Sequence, residues 1–226
     1  MLVVIPARGG SKGVPGKNIK VLDGKPLIQY TVDLARELFE DSDITVSTDD
    51  RAIKNTVEKL GLNVPFIRPD ELATDKSGTQ EVLIHALNYS KSIGKEYDTI
   101  LLLQPTSPFR NSEQVREAIN LYEKSKDVDM VLSVKETKAN PYYILREENS
   151  FGYLEPSKVG NFTRRQDCPP VWEINGALYV INVKSLLTSS ISHFKKVKKY
   201  VMDEETSHDI DTLFDWKFAE FLKSFK

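Results

Sequence analysis

Apolar residues along the chain fall into short runs separated by stretches of helical period. Leu2–Ile5, Ile44–Ser47, Val64–Ile67, Ile100–Leu103 and Val128–Val134 have the length and continuity of buried strands. Between them, Pro26 opens an amphipathic stretch to about Phe39, with Leu27, Ile28, Val32, Leu34, Ala35 and Leu38 on one face. A second helix is predicted after Thr48-Asp49-Asp50 as far as Leu60, stopped by Gly61. A third runs from Ser77 to Ser92 before Gly94, with Ser77 as its N-cap, and a fourth from Ser112 to Lys124 with Glu113 in its first turn. This alternation over the first 134 residues predicts an α/β fold, a mostly parallel central sheet flanked by helices on both faces.

The rhythm changes after Val134. Tyr142–Arg146 and Phe151–Glu155 flank a Glu-Glu-Asn-Ser turn and predict a β-hairpin. Tyr142, Tyr143, Phe151, Tyr153, Phe162 and Trp172 load residues 138–172 with aromatics, as a hairpin packed on its own domain or an arm reaching a second subunit. A strand at Ala177–Asn182, a short helix near Lys184–Thr188, a strand at Val197–Met202 and a helix from Leu213 to Phe225 complete the prediction.

Open α/β sheets bind ligands beyond the carboxyl ends of their strands. The segments following the predicted strands therefore converge there: the loop after Ile5, Asp49-Asp50, Arg68 and Gln104–Arg110. The first is the richest. Residues 2–18 read LVVIPARGGSKGVPGKN, with Gly9, Gly10, Gly13 and Gly16 interleaved with Arg8, Lys12 and Lys17, and Lys20 just beyond. Glycine lets backbone N–H groups approach a ligand, and the cations neutralise what those groups hold, so the loop suits a polyphosphate. It is neither an ATPase phosphate loop nor a GxGxxG dinucleotide fingerprint.

Composition narrows the field. The chain has 226 residues, enough for one domain with a real core, and a formal net charge of −2, which gives no general reason to bind nucleic acid. The single cysteine, Cys168, precludes an intramolecular disulfide and fits a reducing compartment; its neighbours supply no activating base, so it reads as structural. No targeting segment or membrane-length apolar run is visible, and the expectation is a cytoplasmic protein that does not engage a membrane.

Three further strings carry chemistry. LLLQPTSPFR (101–110) places Gln104, Thr106, Ser107 and Arg110 on a proline-stiffened loop. RRQD (164–167) offers the planar cation Arg165 for a carboxylate. HDIDT (208–212) puts Asp209 and Asp211 on one side of an extended backbone, hard oxygen donors suited to Mg²⁺ shared with substrate phosphates. Asp215 reads as a helix N-terminal charge, His85 as a core or boundary residue, and His193 and His208 as weaker candidates for the pocket wall and the metal loop.

These strings, in this order, closely resemble the acylneuraminate cytidylyltransferases, the enzymes that make CMP-sugars of nonulosonic acids. The resemblance implies a Rossmann-like nucleotidyltransferase fold, a single cytidylyltransferase domain over 1–226 with 138–172 as an inserted dimerisation arm, and a homodimer. It implies CTP and a nine-carbon sugar acid as substrates and Mg²⁺ as cofactor. Ala7, Arg8, Gly9, Gly10, Ser11, Lys12 and Asn18 would hold the nucleotide, with Arg68 and Ser77 of RPDELATDKSGT on its cytosine and ribose. Gln104, Thr106, Ser107, Arg165, Asn175 and Tyr179 would bind the sugar, Arg165 reaching a neighbouring subunit's site. Asp209 and Asp211 would hold the metal, and Arg8, Lys12, Lys17 and Asp211 would carry catalysis. Glu173 stands where some sialate members have Arg, and only Phe194 remains of a phenylalanine pair found in some. Both features suit a legionaminate-type sugar as well as N-acetylneuraminate. A 3-deoxy-manno-octulosonate or pseudaminate enzyme, or a catalytically silent nucleotide-sugar binding protein, are the alternatives.

Overall fold

The computed structural model describes residues 1–74 and 77–225. Asp75 and Lys76, within the 68–79 string, lie outside them.

The chain opens with β1 (Leu2–Pro6), a two-stranded ribbon of β2 (Val21–Leu22) and β3 (Lys25–Pro26), and α1 (Leu27–Arg36). Then follow β4 (Ile44–Ser47), α2 (Arg51–Lys59), α3 (Thr79–Ser92), β5 (Thr99–Leu103), α4 (Ser112–Glu123) and β6 (Met130–Glu136). The hairpin β7 (Arg146–Glu148) and β8 (Leu154–Pro156) precedes β9 (Trp172–Asn182), α5 (Val183–Thr188), β10 (Val197–Val201) and α6 (Leu213–Ser224).

Six strands form the central sheet in the order β10-β6-β9-β5-β1-β4. β1 runs parallel to β4 and β5, and β10 parallel to β6. β9 alone runs antiparallel, between β5 and β6. The reason lies in the connection. Residues 137–171 hold no crossover helix, so the chain leaves β6 and enters β9 at the same end of the sheet and must run back. The apolar strand residues alternate between two clusters. One face packs on α1, α2 and α4 through residues such as Ile28, Val32, Val57 and Val115; the other packs on α3 and α5 through Leu83, Leu87 and Leu186. A third cluster of Val14, Leu22, Leu27, Phe109, Ile210 and Trp216 pins the glycine loop and α6 beside the strand ends.

The strand predicted at Val64–Ile67 does not form. That segment is extended, and Arg68 N–H donates to the Thr48 carbonyl at 2.7 Å, but Pro65 lacks the N–H a ladder needs and β4 remains the sheet edge. The N-cap of α3 is Gly78, not Ser77, whose hydroxyl donates to the Glu71 carbonyl. The hairpin sits later than predicted because Asn149 organises its turn, accepting from the Phe151 and Tyr153 N–H groups. Residues 142–145 instead coil around Asn140. Trp172 belongs to β9 and pairs with Glu136. The ribbon of β2 and β3, absent from the sequence reading, turns on Asp23-Gly24, both at positive φ. No helix among the described residues is long and apolar enough to cross a membrane.

Candidate active site

β1 ends at Pro6, and Ala7 extends it by one bond to the Ser47 carbonyl. The chain then turns across the strand ends, and two of its glycines are required by contacts within the protein. A Cβ on Gly13 would lie 2.0 Å from the Asp211 carbonyl oxygen. A Cβ on Gly9 would lie 2.5 Å from an Asp50 carboxylate oxygen, while its N–H donates to Asp49 at 3.1 Å. These glycines therefore let the loop lie against the acidic segments as well as leaving its backbone open to a ligand. Gly16, at φ +62°, starts the 3₁₀ turn that carries Lys17 and Asn18. Asn18 Nδ2 donates to the Arg8 carbonyl at 3.0 Å and fixes the loop from beneath.

The loop is tied to the HDIDT segment by Lys17. Its ammonium donates to the Ile210 carbonyl at 2.5 Å and to Asp211 Oδ1 at 3.0 Å. Ile210 is buried in the third apolar cluster and its N–H donates to the Thr106 carbonyl, so HDIDT is held between the glycine loop and the 104–110 loop. Arg110, fully buried, shapes that second loop: it donates to the Gln104 and Ser107 carbonyls and to Thr31 Oγ1. Burial pulls its pKa down to about 9, against the charge of Asp209, which raises it. Thr212 and Asp215 make a reciprocal capping box at the start of α6, which gives Asp215 the helix-cap role read from the sequence. His208 Nε2 donates to the Asp215 carbonyl and steadies the same turn.

Three adjoining clefts result. The central one, about 360 Å³, is lined by Arg8, Ser11, Lys12, Lys17 and Asn18 on one side and by Gln104, Thr106, Asp209 and Asp211 on the other. At Arg8 and Gln104 it joins a second cleft of about 340 Å³, where Arg68, Thr74 and Ser77 stand. At Asp209 and Asp211 it joins a third of about 550 Å³, walled by Lys135, Glu173, Asn175, Ser207, His208 and Phe218. Of the predicted nucleotide and metal residues, Arg8, Ser11, Lys12, Asn18, Arg68, Ser77, Asp209 and Asp211 thus come together from three separate segments.

The predicted sugar residues divide. Gln104 and Thr106 line the central cleft, Gln104 lying beside Gly176 of β9. Ser107 is fully buried and its hydroxyl has no hydrogen-bond partner, so it is a core residue and presents nothing to a ligand. Asn175 borders the third cleft with its amide already engaged. Oδ1 accepts from Ser133 Oγ and the Ala177 N–H, and Nδ2 donates to Ser207 Oγ and Met202 Sδ. Tyr179 lies mid-strand against the α3/α5 face, its hydroxyl pKa raised by burial and by the Asp209 charge. Arg165 sits on an exposed 3₁₀ turn of the 138–171 segment, outside these three clefts. His193 is at the opposite end of the sheet, beside the chain leading into β6 and β10, so it does not line the pocket. His85, on α3, packs edge-on against Phe66.

Electrostatics single out Asp209. Burial raises its pKa and Asp211 adds to the rise; a hydrogen bond from Thr106 and the charges of Lys17 and His208 oppose it. Its Oδ1 is buried without a hydrogen-bond partner. A carboxylate oxygen left so is costly unless a cation meets it. No group of three or more His, Cys, Asp and Glu that could hold a metal occurs among the described residues. A hard cation met by the orphaned Asp209 oxygen would have Asp211 as its one other nearby carboxylate and would need the rest of its oxygens from phosphate and water. In the second cleft Arg68 is buried, donating to the Ser47 carbonyl at 2.8 Å; burial lowers its pKa, Asp49 raises it and Arg8 lowers it further.

The sequence reading missed the partners that hold these groups in place: Ser133 and Ser207 around Asn175, Thr31 on Arg110, and the Lys135–Glu173 pair at 3.3 Å. Only Asn-Gly at 175–176 carried a local signal. Gly176, at φ +73°, lies where the β6–β9 register shifts, and such bulges re-aim strands beside sites.

Comparison with known proteins agrees. A family model described as cytidylyltransferase matches residues 2–225. The CMP-N,N′-diacetyllegionaminic acid synthase of Legionella pneumophila is 32% identical, over 98% of this chain and 95% of that one. The N-acylneuraminate cytidylyltransferase of Escherichia coli O18:K1:H7 is 35% identical over 97% of this chain, which spans 51% of that longer protein. A CMP:2-keto-3-deoxy-manno-octonic acid synthetase solved with CTP superposes at a TM-score of 0.72 over 99% of this chain and 98% of that one, at 18% identity, a likeness of fold. The fold is the α/β nucleotidyltransferase fold, and the chain belongs to the cytidylyltransferase family.

Proposed function

We propose that this protein transfers CMP from CTP to the anomeric hydroxyl of a nine-carbon acidic sugar, of the sialate or legionaminate type, and releases pyrophosphate. The observation that carries the reading is the line of three clefts, sharing Arg8 and Gln104 at one junction and Asp209 and Asp211 at the other. The central cleft suits a triphosphate, the Arg68 side its nucleoside and the Asn175 side the sugar. The names of the Legionella and Escherichia relatives support the same substrates.

Arg8, Lys12 and Lys17, with the loop N–H groups, orient the triphosphate and stabilise charge gathering on the departing pyrophosphate. The sugar oxygen attacks the α-phosphorus from the third cleft: its bond to phosphorus forms, the bond to the β-phosphate bridging oxygen breaks, and the hydroxyl proton is lost to solvent. No residue becomes covalently attached, so catalysis rests on alignment and fixed charge. Mg²⁺, held by Asp209 and Asp211, would neutralise phosphate oxygens and favour ionisation of the attacking hydroxyl.

The protein acts as a homodimer in this proposal, in the cytoplasm where CTP is made. The third cleft is rich in carboxylates (Glu173, Glu204, Glu205, Asp209 and Asp211), and its Lys135 is paired with Glu173. A sugar carboxylate there needs a further cation, and Arg165 is displayed on the exposed segment that would reach it from the other subunit. Pyrophosphate release from CTP and Mg²⁺ with N-acetylneuraminate, legionaminate, pseudaminate and 3-deoxy-manno-octulosonate tests the reading. Turnover with either of the first two supports it. Turnover with pseudaminate or 3-deoxy-manno-octulosonate alone reassigns the acceptor, and no release with any sugar leaves a silent binding protein.

A further inference from the structure

The turn Ser47-Thr48-Asp49 at the end of β4 lies behind the clefts. Ser47 and Thr48 are fully enclosed and the Asp49 side chain is 20% exposed. None of the three lines the central, second or third cleft. Two acceptors in this turn are nevertheless shared between segments that do. The Ser47 carbonyl accepts from the Ala7 N–H at 2.9 Å and from Arg68 Nη2 at 2.8 Å. Asp49 Oδ1 accepts from the Gly9 N–H at 3.1 Å and stands 3.9 Å from the same Arg68 Nη2. Ala7 and Gly9 are successive donors on one side of the chain leaving β1. The first bond continues the β1–β4 ladder, and the second ends it on a side chain in place of a carbonyl. The Arg68 N–H reaches the Thr48 carbonyl of the same turn at 2.7 Å. The neighbouring Asp50 is engaged elsewhere, its Oδ1 accepting from the Ala52 and Ile53 N–H groups at the start of α2.

Arg68 is 4% exposed, and its Nε is buried without a hydrogen-bond partner. A guanidinium taken so far out of water is costly without a counter-charge, and Asp49 faces it. We propose that Asp49 is a positioning residue for CMP transfer: one carboxylate oxygen locks the glycine loop, on the triphosphate side, to Arg68, on the nucleoside side, so that the two keep a fixed register. The inference rests on the proposed function and deepens it. A cap for Gly9 alone would need no charge, because a neutral oxygen accepts an N–H as well. A carboxylate beside a triphosphate site also opposes binding by its sign. What the charge adds is the hold on Arg68, and what the bond adds is the place of the loop.

Steady-state kinetics of the full chain test this, with CTP, Mg²⁺ and whichever of the four sugars the wild type turns over. Asp49→Ala should lower kcat about 10–100-fold, the scale of a small misalignment. KM for CTP should not rise, because the variant also removes a negative charge from the phosphate side. Asp49→Asn keeps an acceptor for the Gly9 N–H and should recover most of the lost kcat, again with no higher KM. A purely structural cap predicts instead that kcat falls and KM rises together as the melting temperature drops. Wild-type kcat in Asp49→Ala, a raised KM for CTP in either variant, or Asp49→Asn no better than Asp49→Ala overturns the proposal. If circular dichroism shows Asp49→Ala unfolded, Asp49→Asn decides alone: kcat within about ten-fold of wild type at no higher KM supports the bridge, and a larger loss overturns it. A wild type silent with all four sugars removes the transfer reading itself. Calorimetric titration with CTP and Mg²⁺ then decides the bridge. Asp49→Asn should bind no more weakly than wild type; weaker binding, or no binding by the wild type, overturns it.

Discussion

Asp211 and Arg8 both line the central cleft, and each brings a charge to it. Removing one preorganised donor or charge of this kind typically costs about 10²–10³ in turnover. Arg8→Ala and Asp211→Ala should each lose at least that much CTP-dependent pyrophosphate release, with an unchanged circular dichroism spectrum. Gly13→Ala is a different test, because its methyl group has no space beside the Asp211 carbonyl. We expect a lower melting temperature together with lost turnover, whereas Gly10→Ala, with nothing within 4 Å of the new methyl, should keep its melting temperature. Single residues were the most legible level of this chain. Charged and glycine positions of the loop, and the Asp pair, announce themselves by type and spacing. Ser107 did not, because a hydroxyl in a polar string reads alike whether it faces water or is enclosed under a proline turn.

At the scale of elements, boundaries were less legible than existence. Each long apolar run formed a strand except the one broken by Pro65, and each helical period formed a helix, while the orientation of β9 depended on a connection whose path no local pattern fixes. The stability of these joins can be probed directly. Tyr97, just ahead of β5, donates to Asp43, just ahead of β4, at 2.7 Å, and this bond lowers the Asp43 pKa against the opposing effect of burial. A carboxylate whose pKa is lower in the folded state stabilises the fold above its unfolded value and loses that contribution as the pH falls through the folded one. Tyr97→Phe should therefore destabilise by about 1 kcal/mol at neutral pH. The gap from wild type should close as the pH drops below the ordinary carboxylate value of 3.8, which urea melts at several pH values would record. Asn175→Ala should cost more, about 2–3 kcal/mol, because it strips partners from two buried hydroxyls, Ser133 and Ser207. Turnover should fall with it, since Ser207 directly precedes HDIDT.

The whole molecule was legible as a class and not as an assembly. Alternating periods gave the layered sheet and the edge where the clefts lie. Which apolar positions of α6 stay exposed has no signature in sequence, since Phe218 and Trp216 look alike until the helix is placed. If a sugar site is completed by Arg165 of the other subunit, two dead variants should rescue one another. Arg165→Ala mixed with Asp211→Ala forms heterodimers in which one site has both residues intact. After exchange of subunits the mixture should recover about a quarter of wild-type turnover, half of the dimers having one good site. Recovery should be absent if Arg165 serves its own chain.

The bond from Lys17 to Asp211 has a consequence for the order in which the site loads. Without substrate the ammonium already has a counter-ion, so the two halves of the phosphate site neutralise each other across the gap they must later share. A bare triphosphate arriving there would win the lysine only by abandoning the aspartate beside a fresh set of negative oxygens. A triphosphate that brings its own divalent ion offers each side a new mate at once. Titration calorimetry should accordingly find CTP alone a feeble ligand and CTP with magnesium a firm one, with Lys17→Ala narrowing the difference between them.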